Sequence, residues 1–322
     1  MTAFSLLQLP LVAMEHVLCM MNPLELIDVS LASSRAKRSV KFFSKTKKKY
    51  SVVFDNRWHL ISLCGDGTMW TLQMTTSEAC TGQYLTKKYS ENPLKDIMNW
   101  FDHAKEVLQC EINNVTLDLN YPSSENRQTV DWLAAQGSTM NYMEVLNSGE
   151  ESGDDLKEDD LRYLMEKIQA SKVFMLMVKK YKADFRMEIP GKPYHLHIEN
   201  AQFIDYDQLL RLESPVIILR ESILTSQEIN RFLKSWMSCE THLELEAMQI
   251  NISSRNAMNE IMNLPYERTN DPKLIEAFAD YPHHFKITFD MITIQRCDGE
   301  KKVTGAFALS PDGSCCLFLL VH

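Results

Sequence analysis

Few residues of this chain stand at spacings that do chemistry. His195 and His197 lie two apart, on one face of an expected strand. Two imidazoles so placed can chelate a metal, but the sequence positions no third ligand, and they read as ordinary strand histidines. His283-His284, after Pro282, reads the same way. None of the eight cysteines belongs to a CxxC pair, and the adjacency of Cys315 and Cys316 suits neither a zinc knuckle nor an easy disulfide. The thiols read as scattered, reduced and mostly buried. No GxSxG or HExxH run occurs, and spacing singles out no catalytic pair among the carboxylates. Glycine, 10 of 322 residues, is too scarce for phosphate-cradling loops, and no dinucleotide or P-loop fingerprint is present. The expectation is a chain with no catalytic residues, no cofactor and no metal.

Composition points the same way. Apolar residues make up 45% and charged residues 24%, which is ordinary globular usage. Lys and Arg number 34 against 43 Asp and Glu, a net charge of -9, so a grip on a nucleic-acid backbone is not expected. Residues 4–21 are apolar, but Gln8, Pro10, Glu15 and His16 interrupt them and no basic start precedes them. Neither a signal peptide nor a membrane span fits, and a cytoplasmic or nuclear protein is expected.

The length, 322 residues, suggests about two domains. Residues 1–45 read as three short helices. Pro10 opens the first, with Leu11, Met14, Val17, Leu18 and Met21 at helical spacing; Asn22-Pro23 starts the second, with Leu24, Ile27 and Leu31; Ser33 or Ser34 caps the third, with Val40, Phe42 and Phe43. So few residues cannot bury that surface alone, and a partner is the usual remedy. Residues 46–90 read as a basic, solvated linker around Lys45 and Lys47–Lys49, then a β-meander of Tyr50–Phe54, Trp58–Leu63 and Met69–Met74 turning at Gly65-Asp66-Gly67. From 91 to 322 helix and strand alternate. The capping box at Thr225 opens a helix whose Ile229, Phe232, Leu233 and Trp236 share a face, and a strand is expected at Leu243–Leu245.

Strands recur about every 20–30 residues, the range of leucine-rich repeats. The expected fold is therefore α+β or α/β: a helical N-terminus, then an irregular leucine-rich-repeat-like βα solenoid closed by an antiparallel β cap of Phe285–Arg296, Val303–Ser310 and Cys315–Val321. The acidic stretch Gly149–Asp160 reads as a solvated loop, with a docking site for a basic partner as the alternative. The five tryptophans, Trp58, Trp70, Trp100, Trp132 and Trp236, are expected in the core.

The opening Phe4-Ser5-Leu6-Leu7-Gln8-Leu9-Pro10, then Asn22-Pro23-Leu24-Glu25-Leu26-Ile27 and Ser30 to Arg35, resembles an F-box of the nematode type. Ser222–Trp236 resembles the F-box-associated type 2 domain that follows it in that family, and Ile292–Gly299 resembles that domain's closing strand and turn. The sequence departs from the common F-box pattern at Leu31–Lys37. The resemblance implies a non-catalytic substrate adaptor of an SCF-type cullin ubiquitin ligase. Residues 1–45 would dock on a Skp-type adaptor through Leu9, Pro10, Val17, Leu18, Pro23, Leu24, Leu26 and Ile27, and residues 91–322 would hold an unknown protein substrate. A plain interaction scaffold, in which the helices pack on their own chain, is the alternative.

Overall fold

The computed structural model describes residues 6–47, 49–77, 80–81, 84–147, 158–182, 184–252, 257–279, 291–309 and 314–322. They form two compact units, residues 1–118 with 128–142 and residues 119–127 with 143–322. The divisions expected near 45 and 90 both fall inside the first unit, because the N-terminal helices share a core with the helix that comes after the meander.

In the first unit α1 (Leu11–Met20), α2 (Pro23–Leu31) and α3 (Ser34–Lys47) come where the start signals put them. Asn22 and Glu25 cap α2 reciprocally, each side chain bonding the other's backbone N–H at 3.0 and 2.8 Å, with Pro23 at the first helical position. Part of the basic run is helical rather than linker: α3 continues through Lys45 to Lys47, while Lys48 lies outside the described residues. Strands β1 (Ser51–Asp55), β2 (Leu60–Gly65) and β3 (Thr68–Thr75) form the expected meander. Gly65 pairs with Thr68, leaving Asp66 and Gly67, both at positive φ, as the two-residue turn. Two strands are not foreseen from sequence: β4 (Cys80–Thr81), and β5 (Leu85–Tyr89), which runs parallel to β3. Helix α4 (Pro93–Leu108) buries Leu94, Ile97, Met98, Phe101, Ala104 and Leu108, the face its spacing indicates, and β6 (Glu111–Asp118) lies parallel to β1. The α4 face meets α2 and α3, where Leu26, Ile27, Val40 and Phe43 are fully buried. Ser30 Oγ contacts His103 Nε2 at 2.7 Å, and Lys37 reaches Glu106 at 2.7 Å, across the same seam. Helix α5 (Ser123–Gln136) and strand β7 (Thr139–Leu146) contain residues of both units, and helix α6 (Glu158–Lys167), in the second, continues the alternation.

The second unit contains a row of parallel strands: β8 (Gln169–Met177), β9 (His195–Ile198), β10 (Val216–Leu219) and β11 (Ala247–Ile252). The strand expected at 243–245 is a turn, and the ladder begins four residues later at Ala247. The connections are unequal. No helix lies between β8 and β9 among the described residues; α7 (Tyr206–Arg211) follows β9, α8 (Ser226–Met237) follows β10 and the short α9 (Ala257–Ile261) follows β11. Without a recurring unit, these parallel strands do not establish the expected leucine-rich-repeat solenoid; the fold is mixed α/β. The antiparallel closing strands are present: β15 (Cys315–Val321) pairs with β11, then β14 (Lys302–Leu309), β13 (Met291–Gln295) and the unforeseen β12 (Glu267–Thr269) follow. An unforeseen helix, α10 (Pro272–Ala279), precedes β13, and the turn expected at Asp312-Gly313 lies outside the described residues.

Two further expectations, on the acidic stretch and on the tryptophans, are answered by burial. Of the acidic stretch, residues 148–157 lie outside the described residues. Asp160 is no docking group: it is buried in α6, where Asn126 donates to it at 2.9 Å and Arg127 at 3.3 Å. Of the tryptophans, Trp236 and Trp100 are core, Trp70 and Trp132 are half-buried, and Trp58 is exposed beneath Arg57.

His242 gives this unit a pH dependence. Its ring meets Phe232 edge-on at 4.9 Å and bonds Thr241 Oγ1 at 2.6 Å, and burial lowers its pKa to about 4, with Glu213 offsetting part of the effect. The unfolded chain then binds one more proton than the folded chain between about pH 6.5 and 4. Stability from this group is complete above the unfolded value and is lost as pH falls through that window, by roughly 3 kcal/mol at most. Urea unfolding at pH 7 and pH 4.5 should show the loss in the native chain and less of it in His242→Asn, which tolerates the left-handed φ of 48° at this position. Equal slopes in the two proteins would remove His242 as the cause.

Candidate docking surfaces

The first surface lies on α1 and α3. Helix α1 contains no acidic residue in its first turn, and its leading Pro10 offers no side-chain cap, so sequence alone does little to hold it. What holds it is Leu18, buried between the helices. The rest of its apolar face is only partly covered: Met14, Val17 and Met21 are half-buried and Leu11 is 58% exposed, with Val12 beside it 79% exposed. Across a groove of about 270 Å³ from Leu11 stands Phe42 of α3, 59% exposed, with Met14 and Phe43 at the floor and Arg35 and Arg38 on the wall. Exposed aromatic and aliphatic side chains beside arginines are the composition of protein interfaces.

The eight residues expected to dock divide sharply. Leu18, Leu26 and Ile27 are fully buried and Pro23 is buried, so these four side chains serve the unit's own core. Leu9, Val17 and Leu24 are half-buried, and Pro10 is exposed. Burial of Leu26 and Ile27 follows from α4, whose apolar face claims the side of α2 that an isolated three-helix unit would leave open. Leu11, Val12, Met20 and Phe42 are exposed, which agrees with the expectation that these helices hold more apolar surface than they can bury alone. Helical spacing marks an apolar face without saying what covers it.

The second surface lies at the carboxyl ends of β9, β10 and β11. Ile198 and Leu219 are register partners, so the next residues, Glu199 and Arg220, stand side by side: Arg220 Nη1 donates to Glu199 at 3.4 Å. His197 Nε2 approaches the same carboxylate at 3.4 Å. Contact with His197, together with Arg220, holds the Glu199 carboxyl below its ordinary range. Aligning the strand-plus-charge patterns His195–Glu199 and Val216–Arg220 would have found this pair from sequence. His195 and His197 therefore occupy a salt-bridged strand, and among the described residues no three His, Cys, Asp or Glu side chains gather where a metal could sit. Burial and the neighbouring His197 lower the His195 pKa.

Beside these strand ends, Ser222, Thr225, Gln227, Asn251 and Glu260 line a cavity of about 440 Å³, with Ile223 at its mouth, 53% exposed. The loop is rigid at α8: Thr225 accepts from the Glu228 N–H at 3.2 Å, and the Thr225 N–H donates to the Glu228 carboxylate at 2.8 Å. Hydroxyl, amide and carboxylate groups around one exposed aliphatic side chain suit hydrogen bonding to a peptide.

Among the thiols, Cys110 and Cys316 are buried, Cys64, Cys239 and Cys315 half-buried, and Cys19 and Cys297 exposed. Among the described thiols two of seven are buried, fewer than expected, and Cys239 and Cys297, far apart in sequence, come together with sulfurs 3.2 Å apart.

No described helix is long and apolar enough to cross a membrane. No curated protein and no solved structure matches the chain. Residues 185–250 match the family model described as F-box associated. That stretch contains the Ser222–Trp236 segment, the Glu199–Arg220 pair and most of the wall of the 440 Å³ cavity. The part of the second unit from 185 to 250, β9 through the start of β11, is an F-box-associated domain.

Proposed function

We propose that the chain is a non-catalytic substrate-recognition adaptor of an SCF-type cullin ubiquitin ligase. The observation that carries this reading is the F-box-associated domain at 185–250 in a chain that opens with three short helices bearing exposed apolar side chains. F-box-associated domains point to substrate binding in F-box proteins. In this reading the N-terminal helices are the F-box and bind a Skp-type adaptor, which links the chain to the cullin. The second unit holds a protein substrate with the surface around Ile223 and Arg220. Proximity does the work: substrate lysines are kept at high effective concentration near the charged conjugating enzyme, and the adaptor breaks no bond itself.

A second reading has one observation in its favour. Leu18, Leu26 and Ile27 are buried within their own unit, as in a scaffold whose helices need no ligase partner. Mixing the purified chain with a Skp-type adaptor and cullin separates the two. Co-elution of all three in size-exclusion chromatography is the expected result. A folded chain that elutes apart from both leaves the scaffold reading.

A further inference from the structure

Cys239 and Cys297 are 58 residues apart in sequence, yet their sulfurs lie 3.2 Å apart and neither is bonded to another cysteine. Backbone geometry places both. Helix α8 ends in a Schellman turn: the Glu240 N–H bonds the Ser235 carbonyl at 2.9 Å, and the Cys239 N–H bonds that of Trp236 at 3.1 Å. The residue at this turn takes a left-handed conformation usually left to glycine, and Cys239 holds it with φ 60°. A side chain kept at a strained position is a pointer to use. Cys297 follows β13, and its N–H donates to the free carbonyl of Met237 at 2.8 Å, so the loop between β13 and β14 is pinned to the end of α8. The thiols thus face each other from two anchored backbones, with Cys297 open to solvent.

We propose that Cys239 and Cys297 are a peroxide-oxidisable dithiol whose disulfide locks the end of α8 to the β13–β14 loop. This inference rests on the pair's geometry and not on the ligase reading. A disulfide needs the sulfurs at about 2.05 Å, so the observed 3.2 Å leaves only a short approach to make. Contact with Cys297 raises the Cys239 thiol above its ordinary value, and Cys297, the more exposed of the two, meets the oxidant first. The Cys297 thiolate attacks one oxygen of a hydroperoxide. The O–O bond breaks, an alcohol or water leaves, and a sulfenic acid forms on Cys297. The Cys239 sulfur then attacks the Cys297 sulfur. The S–S bond forms, the S–O bond breaks, the Cys239 proton goes to the departing hydroxide, and water leaves. Two electrons pass from the two thiols to the peroxide, and a dithiol reductant returns them.

The test uses the full chain with hydrogen peroxide as probe, followed by alkylation of free thiols and peptide mapping by mass spectrometry. At low peroxide the expected first product is one intramolecular link between the peptides containing 239 and 297, reversed by dithiothreitol, while Cys64, Cys110, Cys315 and Cys316 still alkylate on unfolding. Closing this loop should raise the melting temperature by about 4 °C or more. Cys297→Ser and Cys239→Gly should each lose both the link and the shift. Cys239→Gly keeps the test decisive, because glycine suits the left-handed turn and the variant should fold at least as well as the native chain. The proposal is overturned if 239 and 297 alkylate as fast after peroxide as before. It is equally overturned if links scatter among other cysteines or join two chains, or if Cys297 goes directly to sulfinic acid with Cys239 still free.

Discussion

Replacing Trp236 by alanine is expected to lower the unfolding free energy of the second unit by about 3–5 kcal/mol, the range for deleting a buried large aromatic. The indole is 1% exposed, on the face of α8 that also buries Ile229, Phe232 and Leu233. It also roofs a charge. The Arg296 guanidinium lies 5.8 Å from the ring centre, itself 5% exposed and paired with Asp298 at 2.6 Å. Removing the ring leaves a cavity beside that ion pair and withdraws the face on which the cation rests. Trp236→Phe separates these contributions. The indole N–H is buried without a hydrogen-bond partner, so phenylalanine discards an unsatisfied donor and retains most of the apolar contact. Its loss should be well below that of alanine, and both are read by urea unfolding followed by circular dichroism. An unchanged midpoint for Trp236→Ala would mean that the α8 face is not core, and would make Trp236 a binding residue instead.

That face is legible from four apolar residues at helical spacing behind a capping box, as is α4 behind Asn92-Pro93. The tight turn at Asp66-Gly67 is legible because its positive φ values demand those residue types. Local rules reach no further than what a segment decides alone. Strand β5, with only five residues and two lysines, has no pattern of its own and exists by pairing with β3. The expected start of β11 comes too early because Leu243–Leu245 is as apolar as a strand, yet it sits in a turn after the left-handed His242. The docking residues show the limit most clearly. Leu11 and Leu26 are equally leucines on helices, and only tertiary packing, with α3 and α4 against α2, decides that Leu26 is inside and Leu11 outside. The Cys239–Cys297 pair has no sequence signal at all, since no local spacing relates the end of a helix to a hairpin loop.

That inside–outside division changes how docking by the N-terminal helices must be tested. Deleting residues 1–45 would strip α4 of the helices that cover it, so loss of binding and loss of folding could not be told apart. Charging Leu26 or Ile27 has the same fault, since an unpaired carboxylate in a closed core costs several kcal/mol of stability. Leu11→Asp with Phe42→Asp avoids it. Both side chains are more than half exposed, so their replacement should change stability by about 0.5 kcal/mol or less each. At a docked interface the same two carboxylates would be desolvated against apolar surface on either side of one groove. A penalty of about 3 kcal/mol, modest for two such groups, is already more than a hundredfold in affinity. The expected result is therefore a double variant with native circular dichroism and melting temperature that no longer retains a Skp-type adaptor in a pull-down. Arg35→Glu with Arg38→Glu, on the wall of the same groove, should instead weaken binding in a salt-dependent way, because rim charges steer association more than they hold it. Full retention by the folded Leu11→Asp, Phe42→Asp chain would show that the groove between α1 and α3 is not the adaptor's seat, whatever the second unit binds.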